Sequence, residues 1–176
     1  MSTPPRQPAN RAYLVLGSNI HPEANLPAAA AALKFQGDIT AASRVWESRP
    51  VDLSDQPNYL NAAVLLETSH SIDRLYQNVI APIEQSLRRQ RDPQNKYAPR
   101  TIDIDLALFN REVLTVDGHK IPDPDILKRP FMATCLAELE PGYLHPELDK
   151  TLEQIAHSLR QAGPPLRYRP DVELYP

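Results

Sequence analysis

A single cysteine among 176 residues leaves no partner for an internal disulfide and no cysteine-based metal centre. Cys135 stands in "FMATCLAEL", the setting of a buried helical thiol rather than a nucleophile. Glycine is scarce, five in all, and neither a G-x-x-x-x-G-K-S/T phosphate loop nor a G-x-S-x-G nucleophile turn occurs. Backbone amides of a glycine loop therefore cannot be the anion cradle here. No run approaches the roughly eighteen apolar residues of a spanning helix, and "MSTPPRQPAN" lacks the apolar core of a signal peptide, so the expectation is a cytoplasmic protein. The formal net charge of -3 gives no global attraction to nucleic acid or to an anionic membrane. Any anion site must be local. The five histidines, His21, His70, His119, His145 and His157, are scattered without metal-ligand spacing.

Proline is abundant, nineteen residues, and concentrates at the ends and in the middle loops. Residues 1–10 read as a mobile arm, 11–160 as one domain and 161–176 as a proline-broken tail, because the chain has length for one core and not for two. "AYLVLGSN" reads as a strand closed by Gly17, Ser18 and Asn19, and "NLPAAAAALKFQG" as a helix stopped at Gly37. "ITAASRVWES" and "YLNAAVLLETS" read as strands. Ser71 suits the N-cap of an amphipathic helix through "IDRLYQNVIAPIEQSLRR", with Pro82 expected to kink it near Val79. "RTIDIDLALF" reads as a strand, "REVLTVDGHKI" as a hairpin turning at Asp117 and Gly118, and "RPFMATCLAELE" and "TLEQIAHSLRQ" as helices. The order β-α-β-β-α-β implies an α+β fold, the ferredoxin-like split β-α-β arrangement, with an antiparallel sheet and helices mainly on one face.

"APRTIDIDLALF" carries the chemistry. Strand alternation turns Asp103 and Asp105 to one face and Ile102, Ile104 and Leu106 to the other. Two neighbouring carboxylates repel unless a cation stands with them. A solvated face is the plain explanation for a lone D-x-D, but "LRRQRDPQNKYAPR" brings Arg88, Arg89, Arg91, Lys96 and Arg100 to the same strand. Acids for magnesium beside guanidinium forks are what a polyphosphate requires. In "DQPNYLNAAV", Tyr59 and Asn61 share a face, and an amide beside a ring suits a flat heterocycle with donors and acceptors on its edge.

Over residues 11 to 160 the chain resembles the 6-hydroxymethyl-7,8-dihydropterin pyrophosphokinases of folate synthesis. "LGSN", "DQPNYLNAAVLLET", "IEQSLRRQR", "APRTIDIDLALF" and "RPFMATCLAELEP" carry the resemblance, in order. It implies transfer of the β,γ-diphosphate of ATP to the pterin hydroxymethyl oxygen with release of AMP. Asp103 and Asp105 would hold two Mg2+ ions, with Arg89 and Arg100 on the transferring phosphates. Glu84, Arg91, Lys120, Asp123 and Arg129 would join them as ATP contacts. Ser48, Val51, Tyr59, Asn61, Tyr97 and Phe131 fall on pterin positions, and the loops "RPVDLSDQ" and "RDPQNKYAP" would close over both substrates. The chain departs from the family pattern at Asp52, Tyr97, Ala98, Asp123, Pro124 and Pro82. The implied partners are these two small molecules, with no nucleic acid or membrane, in a monomer or in a dimer made through the tail. Two alternatives use the same residues: another two-metal nucleotidyl or phosphoryl transferase, and a non-catalytic pterin- or nucleotide-binding relative.

Overall fold

The computed structural model describes residues 9–52 and 55–175. The arm expected over 1–10 lies outside them except at its end, where Asn10 already opens the first strand. In chain order the elements are β1 (Asn10–Ser18), α1 (Pro22–Lys34), β2 (Asp38–Ala42), β3 (Trp46–Ser48), β4 (Tyr59–Thr68), α2 (Ile72–Arg74), a π-helical turn (Leu75–Ile80) and α3 (Ala81–Ser86). There follow β5 (Asp103–Phe109), β6 (Leu114–Val116), β7 (His119–Ile121), a 3-10 turn (Pro124–Leu127), α4 (Pro130–Leu139), α5 (Leu152–Ala162) and β8 (Arg167–Tyr168). No helix among the described residues is long and apolar enough to cross a membrane.

The main sheet is antiparallel and runs β5-β1-β4-β3-β8, with β2 also paired to β4. The stretch 39–48, expected as one strand, makes two. At Ser43 the side-chain hydroxyl, not a main-chain carbonyl, accepts the Ala63 N–H at 2.8 Å, and the Arg44 N–H turns out to the Glu138 carboxylate at 2.8 Å. The ladder is interrupted there and resumes at Trp46. Gly37 marks a close passage: a Cβ would stand 2.3 Å from the Glu67 carbonyl oxygen, so no side chain fits between α1 and β4. The β6–β7 hairpin turns at Asp117 and Gly118, with φ of 48° and 82°, the left-handed pair of a type I′ turn.

Pro82 reshapes the predicted long helix. It has no N–H for the Asn78 carbonyl, and the preceding turn widens so that the Ala81 N–H donates to Tyr76, five residues back. α3 then restarts with the proline in its first turn, where its missing N–H costs nothing.

The expectation of helices mainly on one face is corrected. Leu14, Leu16, Val64, Leu66, Ile104 and Leu106 meet α1 and the α2–α3 segment, while Tyr13, Val15, Ala63, Leu65 and Ala107 meet α4 and α5 on the opposite face. The physical reason is visible in the strands themselves. "AYLVL" and "AAVLL" are continuous apolar runs, and strands of that kind need cover on both sides. The tail adds to the first face, where Val172 and Leu174 are buried.

Candidate active site

β1, β4 and β5 present one row of site residues because of their register. Gly17 pairs with Asn61 on one side and Asp103 on the other, and Val15 pairs with Asp105. The second face carries these residues at an end that α4 leaves open. A cavity of about 600 Å³ opens there, lined by Gly17, Ser48, Val51, Gln56, Tyr59 and Asn61, by Arg89, Arg91, Tyr97 and Arg100, and by Asp103, Asp105, Arg129 and Phe131. A second cavity, about 450 Å³, wraps the free edge of β5 and is lined by Tyr76, Glu84, His119, Lys120 and Asp123. Arg91, Asp103 and Asp105 belong to both. The acid pair is thus the wall between two compartments.

The two aspartates share a face, as alternation requires, but their surroundings differ. Asp103 is paired: one oxygen accepts from Arg100, and the other lies 3.6 Å from Arg89. Asp105 has no hydrogen-bond or ion-pair partner among the described residues. Burial first, then the negative charges of Asp103, Asp123 and Glu84, push its carboxyl well above the usual carboxylate range, with Arg100 pulling the other way. A carboxylate without a partner among like charges is a position where a divalent cation relieves strain. Among the described residues no three His, Cys, Asp or Glu side chains are grouped to hold a metal ion. Two hard oxygen donors fit magnesium, which takes one or two protein carboxylates and fills its remaining positions with water and substrate phosphate.

Arg89 has more donors than acceptors: Asp103, 3.6 Å away, faces only its Nη2. Its side chain is 9 % exposed, and its Nε and Nη1 are buried with no hydrogen-bond partner among the described residues. Burial is the main cause of a pKa below the usual arginine value, opposed by Asp103. An arginine remains a cation under such a shift, so the wall holds an under-coordinated positive charge aimed at the acid pair. Arg100 is fully engaged instead. Besides Asp103 it donates to the carbonyls of Lys96 (2.7 Å) and Ala98 (3.3 Å), and its guanidinium lies 5.8 Å from the Tyr59 ring centre. Burial works against its charge, and Asp103 more than restores it.

Two residues outside the predicted set tie the loops. The Asn19 amide oxygen accepts the Arg100 N–H at 2.8 Å, and its Nδ2 donates to Gln56 at 2.8 Å. Gln56 in turn donates to the Tyr97 carbonyl at 3.0 Å. The segments 49–58 and 88–99 are therefore joined through "LGSN". That motif was visible in the sequence, and its partners were not, since they lie 37 and 81 residues away.

Every site residue that the resemblance implies lines one of the two cavities, while Arg88 of the arginine cluster lines neither. Asn61, 2 % exposed, donates from Nδ2 to the Trp46 carbonyl (3.1 Å) and the Ser48 hydroxyl (2.9 Å), which leaves its amide oxygen beside Gly17 as a fixed acceptor. Glu84 is spent on the fold: one oxygen accepts the Ile104 N–H at 3.0 Å and the other accepts from Arg91 at 2.9 Å. It holds the peptide between the two aspartates. Asp123 caps the 3-10 turn through the Asp125 N–H at 2.8 Å, and Arg129 lies 3.5 Å from Asp125. Cys135 is buried in α4 with its thiol pushed up to about 12 by burial, in keeping with a core thiol.

The family model for 7,8-dihydro-6-hydroxymethylpterin-pyrophosphokinase matches residues 13–141. A 2-amino-4-hydroxy-6-hydroxymethyldihydropteridine pyrophosphokinase of Bacillus subtilis is 36 % identical over 133 residues, 74 % of this chain and 78 % of that one. The enzyme of the same name from Synechocystis is 35 % identical over 152 residues, 85 % of this chain and 76 % of that one. Among solved structures, wild-type Plasmodium falciparum HPPK-DHPS with pteroate superposes with a TM-score of 0.67 at 16 % identity, over 92 % of this chain. This chain spans 44 % of that protein's length, and the likeness bears on the fold alone.

Proposed function

The chain belongs to the 7,8-dihydro-6-hydroxymethylpterin-pyrophosphokinase family, and from that membership we propose that it transfers the β,γ-diphosphate of ATP to the hydroxymethyl oxygen of 6-hydroxymethyl-7,8-dihydropterin, releasing AMP for folate synthesis. The observation that carries the reading is the shared wall: Asp103 and Asp105 stand between two cavities, where a group passing from one substrate to the other must be held. The larger cavity takes the pterin and the transferring phosphates, and the smaller one takes the nucleoside end of ATP. The sheet order, with the β2/β3 edge, β4, β1 and β5 side by side, supports the ferredoxin-like split β-α-β description of the core.

Catalysis by this chain is positioning and electrostatics. Asn61 offers its fixed amide oxygen to the pterin edge, and Phe131 and Tyr97 supply rings for its faces. Arg89 brings unpaired donors to the phosphoryl oxygens from a buried site, where a fixed charge acts more strongly than in water. Arg100 must exchange contacts with Asp103 and the loop carbonyls for contacts with phosphate, so substrate binding and loop rearrangement are linked through one side chain. Asp103 and Asp105 would hold the two Mg2+ ions. Held by these carboxylates, such ions would supply charge neutralisation at the phosphate oxygens and so a lower barrier to attack on the β-phosphorus. The loops "RPVDLSDQ" and "RDPQNKYAP", described at residues 49–52, 55–56 and 91–99, would keep water from the reacting atoms.

The decisive assay incubates the chain with ATP, magnesium and hydroxymethyl-dihydropterin and resolves the products. AMP with pterin diphosphate is expected. Pyrophosphate with a nucleotidylated pterin would replace this reading with nucleotidyl transfer, and tight pterin binding without either product would replace it with a non-catalytic binder.

A further inference from the structure

The C-terminal tail carries a charge cluster that the reaction does not use. Arg169, its side chain 19 % exposed, donates to Glu47 of β3 at 3.0 Å, to Glu23 in the first turn of α1 at 3.3 Å and to Asp171 at 2.9 and 2.7 Å. Its own N–H donates to the Val45 carbonyl at 3.0 Å. On one side of it, β8 pairs Tyr168 with Trp46 and Arg167 with Glu47, and the Tyr168 ring centre lies 5.8 Å from that of Trp46. On the other side, Val172 and Leu174 are buried in the first-face core. Arg169 thus sits where the tail crosses from the sheet edge to the α1 face, anchored before and after.

Glu47 connects this cluster to the site. Its second oxygen accepts from Asn58 Nδ2 at 2.8 Å, and Asn58 directly precedes Tyr59. The next residue, Ser48, holds Asn61 through its hydroxyl. Residues 48 and 58 are the two stems of the segment that lines the larger cavity. β3 is only three residues long, and a strand so short is poorly positioned by its ladder alone.

We propose that residues 167–174 form a strap that positions the pterin side of the site, with Arg169 as its positioning residue acting through Glu47. The proposal rests on the assignment of the larger cavity to the pterin. The three carboxylates approach one guanidinium from different directions, a task for a planar fork with five donors and not for an ammonium.

The test compares the full chain with Arg169→Ala, Arg169→Lys and Glu47→Gln, reading KM for each substrate, kcat, pterin binding and the emission of Trp46, the chain's one tryptophan. Arg169→Ala is expected to raise the pterin KM about three- to tenfold, the scale of a lost charge-assisted hydrogen bond, with ATP KM and kcat changed by less than about twofold. The Trp46 emission should shift to the red as Tyr168 moves away. Arg169→Lys should recover little. Glu47→Gln, which keeps an acceptor for Asn58 and leaves Arg169 on Glu23 and Asp171, should give an intermediate pterin KM in a chain that folds. A Trp46 shift with an unchanged pterin KM would overturn the proposal, as would parallel losses in both KM values and kcat. A wild type that forms no AMP yet binds pterin, more weakly after Arg169→Ala, would sink the reaction and leave the strap standing. A wild type that binds no pterin would sink both.

Discussion

Tyr13 and Val15 on β1, Leu65 and Ala63 on β4, and Ala107 on β5 fill one end of the second sheet face, under α4 and α5. Two residues further along the same strands stand Gly17, Asn61 and Asp105, with Asp103 two beyond Asp105, under no helix and beside the larger cavity. Strand direction is the same at both ends and the β1–β4 register runs unbroken through them, while the β1–β5 register shifts once, between Tyr13 and Leu14, at the covered end. The cover differs too, and the residue types follow it: apolar side chains under the helices, and beside the cavity a glycine, an amide and two acids, one of them without a hydrogen-bond or ion-pair partner among the described residues. The site is therefore a stretch of sheet left unfinished, and each contrast between its two ends can be tested.

The largest effect is expected from removing either acid. Asp103→Ala or Asp105→Ala should lower turnover about a thousandfold or more while pterin binding survives, because in the proposed reaction the carboxylates would act on metal and not on the ring. AMP formation in single-turnover experiments and a pterin titration read the two halves; full rates in either variant would break the comparison. Carrying an acid across the boundary should instead damage the fold. Val15→Asp puts a carboxylate under α4 with no partner, at a cost of about 3 kcal/mol or more, visible as a lower melting temperature. Arg89→Ala should reduce turnover about a hundredfold with little loss of thermal stability, since Nε and Nη1 have no hydrogen-bond partner among the described residues and the contact to Asp103 is long, 3.6 Å.

Smaller effects sharpen the contrast. A Cβ at Gly17 would lie 3.4 Å from the Asn61 amide oxygen, an ordinary contact, so the strand tolerates a side chain that the ligand does not. Gly17→Val is expected to raise the pterin KM about tenfold with little change in melting temperature. Finally, Asp105→Asn should raise the melting temperature of the unliganded chain by the equivalent of about 1 kcal/mol near neutral pH. The sign follows from the raised carboxyl: between the unfolded and folded pKa values the folded chain binds more protons, so stability falls as pH rises through that window. The asparagine variant should lose this slope, and a slope that persists would place its origin in another group.

That Asp103 and Asp105 share a face, and that Tyr59 and Asn61 share one, was legible from spacing, because alternation along a strand is a local rule that tertiary contacts do not alter. The single long helix was less legible. Pro82 announced a break, but the π turn depends on how the chain closes its hydrogen bonds around a missing donor. Glu84 was recognisable as a site carboxylate, and its work on the Ile104 N–H was not, since that bond joins residues 20 apart. The misplaced expectation about the helices came from weighing element order above strand composition, for continuous apolar runs in β1 and β4 already asked for two covered faces.

By itself the sequence determined which side chains share a face, where turns occur and which charges travel together, since each of these is set by covalent geometry over a few residues. Tertiary structure alone decided that Gly17 lies between Asn61 and Asp103, that Asp103 is paired while Asp105 is not, and that Arg169 grips a strand more than a hundred residues away. Such facts come from strand order and packing, where contacts between distant segments set burial, and burial sets the strength of every charge in the site.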